Sequence, residues 1–465
     1  MDVPQAPLRN EPTAGPGRVR GNGWIISSAI GLGLLAAYLA NGREIGTYDT
    51  EPTTLTALTL VRGEGIYLDR FAPVLWEPDG RRPPYVGRSG RHLVSLHPIA
   101  TAVLAAPLVA PQVWYLDRHR PGWDAHPIRA WMIAKRMAKR AAAVLAALAG
   151  VAIHRWLRRL VPAGAAIAAT LVAGLGSNLW VVGSQALWQH GPAALMLALA
   201  AVMLAPERPE RWRYALAGIA TAMLVACRAI DLLFAVVILA WVAVRRREGL
   251  GWFLPGPMLI GAALLTYNFS LFDTLSGGQA QLESTHPKLH GVPGPWSGNL
   301  LEGMAGTLLS PARGLFVFCP WVAVSVILLP WTFRRLPRGS LARWLVVGLV
   351  PYLLLLSKYA VWWAGHTFGP RYWTEAAPVF AVMLATGLVW SWQRCRPMLV
   401  LLGLTAAWSV AIQAVGACCY PSSWNLFPKN VDRAHERLWD WHDTEIRRAI
   451  RETLESRQPT GGTLP

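Results

Sequence analysis

The sequence predicts an all-α polytopic membrane protein, and three observations carry that fold class. Of the 465 residues 53% are hydrophobic and only 15% are charged, whereas soluble domains carry about a quarter charged residues. Mean hydropathy is positive, at +0.32. Apolar runs recur along the chain at close to membrane length, for which a helix needs roughly 20 residues.

The charge balance fits the same class. The net charge is +18, from 44 Lys+Arg against 26 Asp+Glu. In a soluble chain this excess would suggest nucleic acid. Here the basic residues fall in short clusters between apolar runs, as cytoplasmic loops facing anionic lipid do. Membrane lipids are therefore expected as partners and nucleic acid is not. The five cysteines show neither metal-ligand spacing nor a disulfide framework.

Eleven runs are read as spans: 24–40, 138–153, 164–182, 193–205, 214–227, 229–244, 252–265, 315–329, 345–356, 378–390 and 398–415. The first follows Arg18 and Arg20 and lacks a small-x-small cleavage site, so it reads as an uncleaved span. A further run, 99–116, contains Pro107 and Pro111 and is expected to be a broken juxtamembrane or re-entrant element. If it does not cross, the clusters at Arg155 to Arg159, Arg208 to Arg213, Arg245 to Arg247, Arg334 to Arg343 and Arg394 to Arg396 all lie inside with the N-terminus. The basic stretch 118–140 alone argues the other way.

The resulting organisation is a cytoplasmic tail (1–22), a membrane domain (23–417) whose first outside loop (41–137) holds juxtamembrane helices, and an outside tail (418–465). In that tail Val431, Leu438, Trp439, Ile446 and Ile450 are spaced for a short amphipathic helix on the membrane surface. Residues 458–462 are expected to be disordered.

The outside face collects the polar residues without an obvious structural task. Asp49 follows the first span, where a partly desolvated acid can serve as general base toward a hydroxyl. Asp49 or Thr50 equally suits a cap for a helix starting at Glu51-Pro52. The segment Trp362-Trp363-Ala364-Gly365-His366-Thr367-Phe368-Gly369-Pro370-Arg371-Tyr372-Trp373 joins two spans. Its Arg371 suits a phosphate, and backbone amides near the glycines can add to an anion site. An aromatic belt is the alternative, though belts do not usually pack Gly and His so densely.

Arg228 and Asp231 are either a functional pair near a helix end or simply each other's counter-ion. His190, in Trp188-Gln189-His190-Gly191-Pro192, can orient a sugar hydroxyl or cap its helix. His286 and His290 are four apart, but Pro287 argues against the helix that a shared metal face would need. The basic stretch Arg81, Arg82, Arg88, Arg91, His92 and His97 reads mainly as a solvated loop, with anionic headgroups as the alternative partner.

With these segments in place the chain resembles the GT-C membrane glycosyltransferases, the superfamily of protein O-mannosyltransferases and aminoarabinose transferases. The resemblance rests on Asp49 after the first span and on the apolar juxtamembrane segments 55–60 and 99–116. It rests also on Gly306-Thr307-Leu308-Leu309-Ser310-Pro311-Ala312-Arg313-Gly314-Leu315 and on the segment from Trp362 to Tyr372. It implies a bundle of about eleven helices with periplasmic juxtamembrane helices, in the bacterial inner membrane, with the active site facing the periplasm. It implies an inverting transfer of a hexose or pentose from a polyprenyl-phosphate donor to a lipid, glycan or protein acceptor. Asp49 would be the base, Arg371, Arg228 and His366 would hold the donor phosphate, and Glu51, His190, Gln189, Tyr372 and Trp363 would surround the substrates.

Two positions depart from the family pattern. The second acid, Glu51, stands two residues beyond Asp49 and before Pro52. The second outside loop carries Gln185, Gln189 and His190 where many relatives have an acid. Amide and imidazole are poor ligands for Mg²⁺, so no cofactor or metal is expected. The alternatives are a transporter or flippase of lipid-linked sugars, which would show inverted repeats and midplane charges, or a polymerase or ligase using a polyprenyl-diphosphate donor.

Overall fold

The computed structural model describes residues 22–76 and 84–456. The expectations for the N-terminal tail, for Arg81 and Arg82 and for 458–462 lie outside the described residues. The chain is predominantly helical. One hairpin interrupts it, Val86–Ser89 antiparallel to His92–Ser95, with Val86 opposite Ser95.

Among the described residues five helical stretches are long and apolar enough to cross a membrane: Pro127–Leu157, Arg247–Phe272, Leu341–Lys358, Arg371–Arg394 and Arg396–Cys419. Five more of the runs read from sequence coincide with shorter helices, Asn22–Leu39, Ala163–Leu175, His190–Leu204, Arg211–Cys227 and Leu232–Arg245. The run 315–329 does not form one helix. It divides into Leu315–Phe318 and Pro320–Ile327, because Pro320 has no amide to continue the ladder from the turn before it.

Local chemistry sets several helix ends. The Asn299 side chain accepts from the amides of Leu301 and Glu302 at 2.9 and 3.1 Å and so starts Leu300–Leu309. Ser340 and Thr444 do the same for Leu341–Lys358 and Glu445–Glu455. Gly63, with φ +71°, stops Glu51–Arg62 in the left-handed conformation, its amide donating to the Leu60 carbonyl at 3.2 Å.

Three expectations need correction. The second long helix begins at Pro127 rather than at 138, so the discordant basic residues beyond that point lie on its first turns. The run 99–116 is unbroken, forming Ala100–His119 with both prolines inside. Pro107 and Pro111 are four apart and share the exposed side with Val103, so the lost amide bonds face away from the packed side of Ala102, Ala105, Val109 and Val113. The tail, finally, is a folded cap. Val431 and Leu438 precede the helix Glu445–Glu455 and are buried in a cluster with Trp362, Trp363 and Trp424.

The core divides accordingly. The large cluster runs through the bundle from Leu34 and Tyr38 to Phe380 and Leu402. A second packs Glu51–Arg62 and Ala100–His119 against the first half of Pro127–Leu157, through Leu55, Leu58, Phe71, Val113, Ala134 and Leu187. The third joins the Trp362–Trp363 loop to the tail. A cavity of about 1250 Å³ lies where the three meet, with lining residues from all of them.

Candidate active site

The segment carrying Asp49 is pinned by backbone and indole contacts. The Ile45 amide donates to the Gln185 carbonyl at 3.1 Å, and Trp188 Nε1 donates to the Ile45 carbonyl at 3.2 Å. Lys139 Nζ reaches from the Pro127–Leu157 helix to the Tyr38 carbonyl at 2.7 Å and to Gln185 Oε1. A Cβ at Gly46 would stand 2.2 Å from Thr50 Oγ1 and 3.2 Å from the Ala186 Cβ, so any larger residue would force Thr50 to shift. Thr50 precedes the Glu51–Arg62 helix but makes no side-chain cap, and its hydroxyl donates to the Thr47 carbonyl at 2.9 Å. Asp49 is thus free of the capping task that its sequence context also allowed.

Asp49 faces Arg371. Nη1 of Arg371 donates to Asp49 Oδ2 at 2.7 Å, with both side chains largely buried. The other oxygen, Oδ1, makes no hydrogen bond among the described residues although it is buried in the cavity wall. Burial pushes the Asp49 carboxyl up, but the charge of Arg371, the nearby His97 and the hydrogen bond from Arg371 outweigh it. The group is held below the ordinary aspartate range. His97, read from sequence as part of a solvated loop, is half-buried beside this pair, and desolvation lowers its own pKa.

Arg371 opens a 3-10 turn, Arg371–Ala376, that supplies three site groups at once. Its guanidinium stacks over Trp188 at 4.6 Å and over Tyr372 at 5.5 Å. The Arg228 guanidinium stacks over the same Tyr372 ring at 4.8 Å. One aromatic ring therefore carries two cations.

The third group is Glu375, fully buried. Its carboxylate accepts from Arg228 Nη1, from the Tyr352 hydroxyl at 2.8 Å and from His190 Nδ1 at 2.9 Å. The sequence alternative of an Arg228–Asp231 pair is replaced by this network, and the Asp231 carboxylate has no hydrogen-bond partner among the described residues. His190 is likewise turned to Glu375 and does not cap its helix. Glu375 was not anticipated. The signal was present, since it is the lone carboxylate between Glu302 and Asp432 and stands at the start of an apolar helix.

Glu51 shares Lys135 with Glu44, at 3.8 and 3.3 Å, and burial pushes its carboxyl up to about 7 despite Lys135. His366 points to the tail, its Nε2 lying 3.1 Å from Asp432 Oδ2 and 3.2 Å from Asn430 Oδ1. Asp49, Glu51, Gln189, His190, Arg228, His366, Arg371 and Tyr372 all line the cavity. Trp363 does not, which corrects its expected substrate contact: it is buried behind the wall, with Nε1 donating to Asp432 Oδ1 at 2.9 Å.

Arg313 holds that wall in place. Nε donates to the Trp363 carbonyl at 3.0 Å, Nη1 to Glu445 Oε2 at 2.6 Å, and Nη2 to Asn425 Oδ1 at 2.8 Å and the Gly365 carbonyl at 3.2 Å. Gly365 adopts φ +64° beside Ala364 at φ +62°, so the loop turns sharply at the cavity edge. His286–His290 forms one helical turn after all, because Pro287 occupies the first turn, where no amide is needed. Among the described residues no three His, Cys, Asp or Glu side chains are grouped to hold a metal ion.

Part of the cavity lining is apolar, with Ile230, Leu232, Leu233, Val236, Leu355 and Leu356. Leu232 and Val236 are 55% and 53% exposed, so this wall continues onto the outer face of the Leu232–Arg245 helix.

No family model and no curated protein matches this chain. Among solved structures it is similar to ArnT from Cupriavidus metallidurans bound to undecaprenyl phosphate, with 14% identity and a TM-score of 0.48 over 85% of this chain and 70% of that one.

Proposed function

We propose that this chain is a GT-C type membrane glycosyltransferase that moves a sugar from a polyprenyl-phosphate donor to a hydroxyl acceptor on the extracytoplasmic face. In this reading the eleven apolar runs cross the membrane, Arg228 and Arg371 receive the donor phosphate, and the prenyl chain leaves along Leu232 and Val236. One observation carries it. A buried carboxylate with an unpartnered oxygen, two guanidiniums on one tyrosine ring and an apolar flank reaching the outer surface share a single cavity.

The chemistry follows from that arrangement. The acceptor hydroxyl gives its proton to Asp49 Oδ1, its oxygen attacks the anomeric carbon, and the bond from that carbon to the phosphate oxygen breaks. The charge arising on the leaving phosphate is stabilised by both guanidiniums. Pairing with Arg371 by itself weakens Asp49 as a base. A bound phosphate reverses this, since it competes for Arg371 and adds negative charge nearby, and both effects raise the Asp49 pKa.

Transport of lipid-linked sugars is the weaker reading. Asp49, His190, Arg228 and Arg371 stand between helices or at helix starts, not at the middle of broken helices as transporter sites do. The test is turnover of labelled polyprenyl-phosphate sugars by purified protein in lipid vesicles. Transfer by the wild type and its loss in Asp49→Asn are expected, and full turnover in Asp49→Asn would remove Asp49 as the base.

A further inference from the structure

The cavity of about 1250 Å³ is larger than the roughly 300–1000 Å³ typical of a pocket for one small ligand. Its cationic centre and apolar flank account for a lipid phosphate. They leave a third wall unassigned, formed by the His286–His290 turn, Trp296, Tyr359 and the tail residues Asn430 and Asp432.

Asp432 gathers several polar groups of this wall. Asp432 takes the Trp363 indole at 2.9 Å and lies 3.0 Å from His290 Nδ1 and 3.1 Å from His366 Nε2. Its charge is therefore spent within the wall, while each imidazole keeps one ring nitrogen free of Asp432. His286 is only 4% exposed and lies with Nε2 3.3 Å from the Tyr359 hydroxyl, and its Nδ1 has no hydrogen-bond partner among the described residues. A buried, unpartnered ring nitrogen on a cavity wall asks for a polar ligand. Neutral imidazole offers one donor and one acceptor, which complements a hydroxyl that also does both.

The aromatic part specifies the ligand further. Trp296 is 44% exposed, and its ring centre stands 5.4 Å from that of Tyr359 at 69°, forming a corner at the cavity edge. An apolar ring face beside hydroxyl-matched groups suits the C–H face and the rim of a pyranose. A lipid chain has its own apolar lining along Ile230, Leu232 and Val236. A peptide extended by strand pairing would need a free strand edge, and neither strand of the hairpin lines the cavity.

We propose that this wall is a carbohydrate-binding subsite, with Trp296 and Tyr359 stacking on a sugar ring and His286 and His290 bonding its hydroxyls, so that the acceptor is a glycan. The assignment to the acceptor rests on the transferase reading. The binding claim does not.

The experiment is saturation-transfer NMR on the purified full-length protein with mannotriose, chitotriose and maltotriose, beside a Ser/Thr peptide and a separate undecaprenyl phosphate titration. The wild type is expected to transfer saturation to at least one trisaccharide and not to the peptide. Trp296→Ala, at an exposed position, and His290→Ala are each expected to weaken that binding about tenfold, the equivalent of one lost contact to a polar ligand, while lipid binding stays unchanged. Binding of none of the trisaccharides, binding indifferent to both substitutions, or binding of the peptide instead would overturn the subsite while the lipid titration still supports the donor site. Trisaccharide binding that depends on Trp296, in a protein that ignores undecaprenyl phosphate, would uphold the subsite and remove the transferase reading.

Discussion

Arg371 Nη1 donates to one oxygen of Asp49 at 2.7 Å and leaves the other without a partner inside the cavity. The pair is asymmetric in function as well as in bonding, because the paired oxygen fixes the carboxylate and the free one can receive a proton. Replacing Asp49 with Asn keeps the size and one acceptor but removes the charge. Turnover should fall by about 10²–10⁴-fold, the usual contribution of a positioned general base. Steady-state transfer of labelled sugar measures it, and a fall of less than threefold would assign the carboxylate to positioning only.

Arg371→Gln strands Asp49 as a buried charge with less compensation. Breaking one side of a buried pair costs roughly 3–5 kcal/mol, discounted here because both groups keep some exposure, at 11% and 15%. A lower melting temperature is expected together with loss of donor binding. Arg371→Lys should recover the stability better than the binding, since an ammonium cannot stack over Trp188 and Tyr372 while holding two oxygens. Equal recovery of both would count against phosphate recognition by Arg371.

Glu375 touches no part of the cavity surface, yet it fixes Arg228 and His190 from behind. Glu375→Gln should raise the KM for the donor about tenfold, one lost charge-assisted bond, with a smaller change in kcat. Glu375→Asp should restore part of it. A change in kcat alone would place Glu375 in the chemical step and not in positioning.

The contact between tail and loop should depend on pH. Burial lowers the His366 pKa, but hydrogen bonding and charge from Asp432 and bonding from Asn430 raise it overall above 6.5. A raised folded value means that this stabilisation is complete below the unfolded pKa and is lost as pH rises through the folded one. Asp432 is shifted the other way, held far below 3.8 against the effect of burial by His290 and His366, so its share is present above the unfolded value and lost in strong acid. Limited proteolysis within the tail, 422–456, should therefore be slower near pH 6 than near pH 9, and Asp432→Asn should remove the difference. Equal protection at both pH values in the wild type would contradict a role for the His366–Asp432 contact in holding the tail.

Arg313 and Glu445 are both fully buried and 2.6 Å apart. Burial pushes Glu445 up to about 7 even beside Arg313. Arg313→Met should destabilise the protein by roughly 3–5 kcal/mol, read as a loss of melting temperature with the tail released first. A variant as stable as the wild type would mean that apolar packing alone holds the tail.

What the sequence discloses follows a physical boundary. Apolar runs are local signals, so nearly every helix of the bundle was legible, and polar residues at the ends of those runs pointed to Asp49, His190, Arg228 and Arg371 together. Contacts between distant segments leave no such trace. Arg313 meets Glu445 across 132 residues and Asp49 meets Arg371 across 322, so neither pairing could be read from spacing. His97 was misread because it follows a run of exposed basic residues, although its own environment is set by the fold of the first loop. In the tail, Ile446 and Ile450 do lie on one helix, Glu445–Glu455, but Val431 and Leu438, which fit the same spacing, are buried beside Trp363 and Trp424 ahead of it, Leu438 in a separate 3-10 turn. The prolines of 99–116 misled in the opposite sense, since their shared exposed face removes most of the cost of keeping the helix.

The most direct test is the affinity of purified protein for undecaprenyl phosphate, measured in wild type, Asp49→Asn and Arg371→Gln. If Arg371 is shared between Asp49 and an incoming phosphate, the two substitutions move binding in opposite directions. Asp49→Asn should bind as well as the wild type or tighter, because the competing carboxylate charge is gone, while Arg371→Gln should bind at least about tenfold more weakly. Weakening by both to a similar extent, or by neither, would contradict the assignment of this cavity as the lipid-phosphate site.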